Sequence, residues 1–116
     1  MRVTKRFRFD AAHHLPGYEG KCARVHGHGY VLEISVEGPG GADGCVMDFY
    51  DLKSVVNEQV IDRLDHRDLN DIHPYPTAEN IALWIWERLA DELPRMAELK
   101  LYETPDSWVT LTREDA

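Results

Sequence analysis

Two histidines separated by one glycine, His26-Gly27-His28, are where residue type and spacing first suggest chemistry in this chain. In an extended strand, alternate residues share a face and lie roughly 7 Å apart at Cα. Two imidazoles can bridge that span onto one ion. A third nitrogen is available from His13 or His14 if their segment pairs with the first as a hairpin. Three imidazoles leave a fourth position open, the arrangement of a catalytic zinc that acidifies a bound water or substrate hydroxyl. The plainer alternative is a pair of half-exposed strand histidines with ordinary hydrogen bonds.

Cys22 precedes His26 by four residues in a Gly-flanked polar loop. As a fourth ligand it would close a structural zinc site. As a thiol near the cation and Lys21 it would have a lowered pKa and serve as base or nucleophile; the third alternative is an inert buried thiol. Cys45, beside Val46 and Met47, reads as a buried thiol. Asp65-His66 offers a carboxylate that can orient an imidazole, or simply a histidine favoured by the dipole at a helix C-terminus. Glu79 most simply complements a helix dipole, whereas Glu103, at a strand end, is either a solvated rim residue or an anchor for a guanidine-like ring edge.

Other chemistries lack their motifs. There is no Gly-x-x-x-x-Gly-Lys-Ser/Thr loop, no Gly-x-Gly-x-x-Gly, no His-Glu-x-x-His and no Cys-x-x-Cys. The chain has 116 residues, 43% of them apolar, with 13 Lys and Arg against 21 Asp and Glu, a net charge of −8. That is one domain, residues 1–116, able to bury a modest core. The acidic balance disfavours nucleic acid as a partner. No apolar run spans a membrane or forms a signal segment, so the expected compartment is the cytoplasm.

The elements that must position these residues follow from periodicity. Residues 2–9 alternate, with Val3, Phe7 and Phe9 opposite Arg2, Arg6 and Arg8, and predict a strand ending near Asp10. Residues 15–24 form a loop. Residues 26–37 alternate again, and pair antiparallel with the first strand. Residues 46–49 read as a short extended piece leading into a helix over about 50–64, capped by Asp48 or Asp51. Thr77 caps a second helix whose apolar face holds Ile81, Ala82, Ile85, Leu89 and Leu93. Trp84 and Trp86 cannot both join that face, which makes one of them a candidate for a subunit contact, with core packing the commoner alternative. Residues 98–103 and 107–112 are two further strands. The prediction is an α+β fold, β-β-α-α-β-β, with a four-stranded antiparallel sheet covered on one face by two helices. Its open edges invite continuation between subunits.

The ordered motifs Phe9-Asp10-Ala11-Ala12-His13-His14-Leu15, Gly20-Lys21-Cys22, His26-Gly27-His28, Met47-Asp48-Phe49, Leu64-Asp65-His66 with Leu69-Asn70, Pro76-Thr77-Ala78-Glu79-Asn80 and Glu103-Thr104 resemble the 6-pyruvoyltetrahydropterin synthase / 6-carboxytetrahydropterin synthase family over nearly the whole chain. The resemblance implies a tunnelling fold (T-fold) whose subunits close into a trimeric 12-stranded barrel, two of which stack into a homohexamer with active sites at subunit interfaces. It implies one Zn2+ per subunit on His13, His26 and His28, with Cys22 as catalytic base and Asp65 and His66 as its acid/base partners. Glu103 would grip the pterin, and Thr77 and Glu79 would line the pocket from a neighbouring subunit. The implied substrate is 7,8-dihydroneopterin triphosphate. The short Cys22-x-x-x-His26 spacing resembles the carboxy-forming branch, which releases acetaldehyde and triphosphate and feeds queuosine synthesis. The pyruvoyl-forming enzyme and a non-catalytic zinc-stabilised module are the alternatives. Lys21 and Arg24 are candidate phosphate contacts.

Overall fold

A computed structural model describes residues 1–116. Strand β1 (Arg2–His13) pairs antiparallel with β2 (His26–Glu37) over its whole length, from Arg2↔Glu37 to His13↔His26. Strand β2 pairs with β4 (Met96–Thr104), and β4 with β5 (Ser107–Thr112), both antiparallel. These four long strands are the predicted set. A fifth, β3 (Arg67–Asp68), adds two parallel pairs to the outer edge of β1, giving the order β3-β1-β2-β4-β5. A two-residue strand has no periodicity to read, so the expected four-stranded antiparallel sheet is corrected to five strands, one of them parallel.

The first helix covers residues 49–64, beginning as Phe49–Val56, passing through a π-helical stretch Asn57–Ile61 and ending as Asp62–Leu64. Asp48, rather than Asp51, is its N-cap, its side chain accepting from the Tyr50 N–H. The second helix is Ala78–Ala90, with the Thr77 hydroxyl accepting from the Asn80 N–H. Both lie on one face of the sheet. Leu52, Val56, Val60 and Leu64 of the first helix and Ile81, Ile85 and Leu89 of the second join Phe7, Phe9, Tyr30, Leu32, Ile34, Leu99 and Leu101 in one core. The opposite face is polar, crossed by the ion pairs Arg6–Glu33, Arg2–Glu98 and Arg2–Glu37.

Three smaller expectations fail. Residues 46–49 form no strand; Val46 is buried by a turn instead. Cys45 is exposed rather than buried, at a loop position whose N–H is bonded to the Asp43 carboxylate while its neighbour Val46 enters the core. Strand β1 continues past Asp10 to His13, since β2 and β3 supply ladder partners on both sides. Of the two tryptophans, Trp86 is in the core and Trp84 lies under the Arg88 guanidinium, 5.4 Å from its ring centre.

Candidate active site

The continuation of β1 matters because it carries His13 to the inward-facing row that contains Phe7, Phe9 and Ala11. Its cross-strand partner is His26, and His28 stands two positions further along β2 on the same face. One ligand atom from each of His13, His26 and His28 lies within 4.8 Å of the others. His13 is buried and the other two are half-buried. His14 points elsewhere, so the cluster takes His13 from the two candidates.

The rings are oriented by main-chain carbonyls. His13 Nδ1 is 2.8 Å from the Pro76 carbonyl oxygen and His26 Nδ1 is 2.7 Å from that of Arg24. A carbonyl only accepts, so both Nδ1 atoms carry the proton and both Nε2 atoms present lone pairs. Those two Nε2 atoms are 3.1 Å apart. Two lone pairs at that distance repel unless a cation or a proton sits between them. His28 Nε2 is buried without a hydrogen-bond partner. Burial foremost, then the neighbouring His13 and His26, lowers the His28 pKa from 6.5 against the opposing pull of Glu103, which favours the neutral, metal-binding imidazole. A tetrahedral ion with bonds of 2.0–2.1 Å has ligand–ligand edges of about 3.3–3.4 Å. The donor set and its spacing therefore fit a divalent metal of the zinc type.

Glu103 is brought to the same place. Its Oε1 is 3.2 Å from His13 Nε2 and 3.6 Å from His28 Nε2. A β-bulge puts it there: Tyr102 pairs with Trp108 and Thr104 with Ser107, leaving Glu103 between them without a partner on β5. Tyr30, stacked on Phe9 at 4.9 Å, buries a hydroxyl with no partner. Burial first, and then the charge of Glu103, pushes its pKa upward, so the phenol stays neutral.

Asp65 and His66 form a separate group at the outer edge of β1. Asp65 Oδ1 accepts from the Asp10 N–H at 2.9 Å, Asp65 Oδ2 is 3.1 Å from His66 Nδ1, and the His66 N–H donates to the Asp10 carbonyl at 2.6 Å. His66 adopts φ 58°, the left-handed conformation that lets both residues face Asp10. The Asp10 N–H foremost, then His66, lowers the Asp65 pKa below 3.8. The pair is thus a real side-chain contact and not two neighbours pointing apart. His66 and His28 line one cavity of about 490 Å³, together with Gly27, Arg67 and Asp68.

Other expected residues stay apart within one chain. Cys22 lies in a short 3-10 turn, Lys21–Ala23, half-buried, and its thiol is not a member of the histidine group. Thr77 is occupied as a helix cap and Glu79 is exposed. Nothing in the sequence marks the carbonyls of Pro76 and Arg24; Asn70 belongs to the Leu69-Asn70 motif, which assigns it no role, and its amide holds the His14 main chain on both sides, at 2.9 and 3.0 Å.

A mixed α+β subunit with a three-histidine cluster at the end of its longest strand pair is a T-fold subunit. The model of the family described as 6-pyruvoyl tetrahydropterin synthase matches residues 2–114, and the chain belongs to that family. It is 41% identical over 105 residues to a putative 6-carboxy-5,6,7,8-tetrahydropterin synthase of Archaeoglobus fulgidus, covering 90% of each chain. It is 48% identical over 99 residues to a dihydroneopterin monophosphate aldolase of Pyrococcus furiosus, covering 85% of this chain and 83% of that one. The solved 6-pyruvoyl tetrahydropterin synthase of Caenorhabditis elegans superposes with a TM-score of 0.87 at 26% identity, over 97% of this chain and 94% of the other.

Proposed function

We propose that the protein is a zinc-dependent 6-carboxy-5,6,7,8-tetrahydropterin synthase acting on 7,8-dihydroneopterin triphosphate, in the cytoplasm and on the route to queuosine. The reaction yields 6-carboxytetrahydropterin, acetaldehyde and triphosphate with uptake of one water. The observation that carries this reading is the convergence of His13, His26 and His28 with Nε2 lone pairs turned inward, in a chain similar to proteins named for that synthase.

Zinc, when bound by these three histidines, supplies a Lewis acid for the substrate's side-chain oxygens. The chain's own residues do the rest. Cys22 takes a proton from the side chain, and Asp65 keeps His66 in the orientation that relays it. Glu103 accepts from the amino and ring N–H groups of the pterin, the bidentate pattern that a carboxylate matches. Thr77 and Glu79 line the pocket of a neighbouring subunit. Two free sheet edges support that assembly: β3 covers only Ala11 and Ala12 of β1, and β5 has no outer partner. Three subunits sharing these edges would close a barrel of twelve long strands, two of which would stack as a homohexamer.

A second reading is favoured by the 48% identity to the aldolase: carbon–carbon cleavage of dihydroneopterin monophosphate on the same scaffold. Mass analysis of every product from zinc-loaded protein given each phosphorylated substrate separates the two. Acetaldehyde and 6-carboxytetrahydropterin from the triphosphate support the proposal. A pyruvoyl product without acetaldehyde, or turnover of the monophosphate alone, overturns it.

A further inference from the structure

The sheet face turned away from the helices carries a groove that none of the roles above uses. Strand register sets Arg8, Val31, Tyr102 and Trp108 in one row across β1, β2, β4 and β5. Arg6 and Arg8 form one wall, Tyr102 and Pro105 the other, and Gly29 and Val31 the floor, around a cavity of about 290 Å³. That volume is near the lower end of the usual range for small-molecule pockets, ~300 Å³. Arg2, Arg6 and Lys100 on this face each have a carboxylate within 4 Å, whereas Arg8 has none. Asp10, the next residue of β1 on the face, keeps its carboxylate within 4.8 Å of the Asp65 and His66 side chains. Tyr102 and Trp108 lie ring to ring, with centres 5.1 Å apart, and half of Trp108 is exposed.

The floor carries the second observation. Gly29 is not in the left-handed region, and a Cβ on it would meet only the Asp10 carboxylate, at 3.4 Å, an ordinary contact. Neither backbone nor packing calls for glycine there; what the missing side chain provides is an open floor. A guanidinium without a carboxylate, facing an aromatic wall across that floor, is the chemistry that holds a flat ring bearing an anionic group. The ring lies against Tyr102 and Arg8 takes the anion. One uncompensated positive charge matches one carboxylate or phosphate rather than a triphosphate chain.

We propose that this groove is a second ligand site, on the opposite sheet face from the histidine cluster, for a planar heteroaromatic ring carrying a single carboxylate or phosphate. The carboxylated pterin of the reaction proposed above and a purine nucleoside monophosphate share that chemistry. The groove itself does not depend on that reaction.

The test is calorimetric titration of the full, zinc-loaded chain carrying Glu103→Ala, which removes the carboxylate assigned to the pterin ring at the histidine site. 6-Carboxypterin and guanosine monophosphate are titrated separately, and the tighter of the two identifies the source of the ligand. One site per subunit should remain, weakened about 10-fold or more by adding Arg8→Gln and lost on adding Gly29→Val, which fills the floor. 6-Methylpterin, the ring without the anion, should bind Arg8 protein and Arg8→Gln protein equally weakly. In the otherwise wild-type chain, 6-carboxypterin should quench Trp108, with Trp108→Phe identifying the signal, so a folding defect in the Glu103 variant does not remove the test.

Absence of binding by both anions, affinity unchanged by Arg8→Gln, or 6-methylpterin binding as tightly as 6-carboxypterin overturns the site. Arg8, Gly29 and Val31 also border a cavity of about 330 Å³ that reaches Asp65 and His66. An Arg8→Gln enzyme whose substrate KM rises by the same factor as its ligand affinity falls would therefore place the groove inside the active site and overturn a second site. Product masses from the wild-type protein test the reaction separately, so failure of the reaction leaves the groove titrations standing, and failed titrations leave the reaction standing.

Discussion

Replacing Asn70 with Ala should weaken the metal centre without touching a ligand. The Asn70 amide accepts from the His14 N–H at 2.9 Å and donates to the His14 carbonyl at 3.0 Å, extending by one bridge the ladder Ala11↔Arg67 and Ala12↔Asp68. It clamps the end of β1 beside His13. Asn70 is itself fixed, its N–H donating to Asp68 Oδ1 at 2.9 Å. Two half-buried hydrogen bonds at a net 0.5–1.5 kcal/mol each give a stability loss of about 1–3 kcal/mol. The freed strand end lets the His13 ring drift from His26 and His28, and loss of an outer support of this kind costs about 10- to 100-fold in metal affinity. Denaturant unfolding and chelator competition read the two effects separately. Asn70→Asp keeps the acceptor and sets a carboxylate against the His14 carbonyl, so it should fall with Ala. Ile85→Val, in the core of the second helix, should lose a comparable 0.5–1.5 kcal/mol while binding metal normally. An Asn70→Ala protein that is folded, destabilised and yet binds metal as wild type does would show that the clamp does not position His13.

His28→Ala should abolish metal uptake and turnover together, measured by metal analysis of dialysed protein; full metal content in the variant would remove His28 from the ligand set. Cys22→Ala should retain metal, as its thiol stands outside the histidine group, and lose turnover. Normal turnover would end its role as base, and loss of metal with unfolding would mark it as a structural ligand. Asp65 has a folded pKa below its ordinary 3.8, so its contribution to stability is complete above that value and is lost as pH falls through the folded pKa. Carbon-13 titration of its carboxyl should therefore show ionisation persisting below pH 3.8, and a midpoint at or above 3.8 would contradict the Asp10 and His66 contacts.

The long elements were legible because their periodicity is a direct consequence of burial on one face. Phe7 and Phe9 alternate with arginines, and Leu52, Val56, Val60 and Leu64 recur at helical spacing, and each set is buried on the predicted side. Residue β3 pairs, the turn at Val46 and the exposed Cys45 were not, because two-residue strands and loops carry no period. The π-helical stretch at Asn57–Ile61 likewise interrupts a helix without changing its apolar pattern.

The candidate site divides the same way. Sequence alone determined that His26 and His28 share a face, because strand pleating makes that relation local. It named His13, His14, Cys22, Asp65, His66 and Glu103 as the groups capable of chemistry. Tertiary structure decided the rest. Strand register, fixed by twelve residues of pairing, set His13 rather than His14 opposite His26. The segment ahead of the second helix brought the Pro76 carbonyl to His13 Nδ1, across 63 residues of chain. A bulge turned Glu103 toward the same nitrogens. Ring orientation and convergence depend on contacts between residues distant in sequence, and composition and period, which are local quantities, carry no record of them.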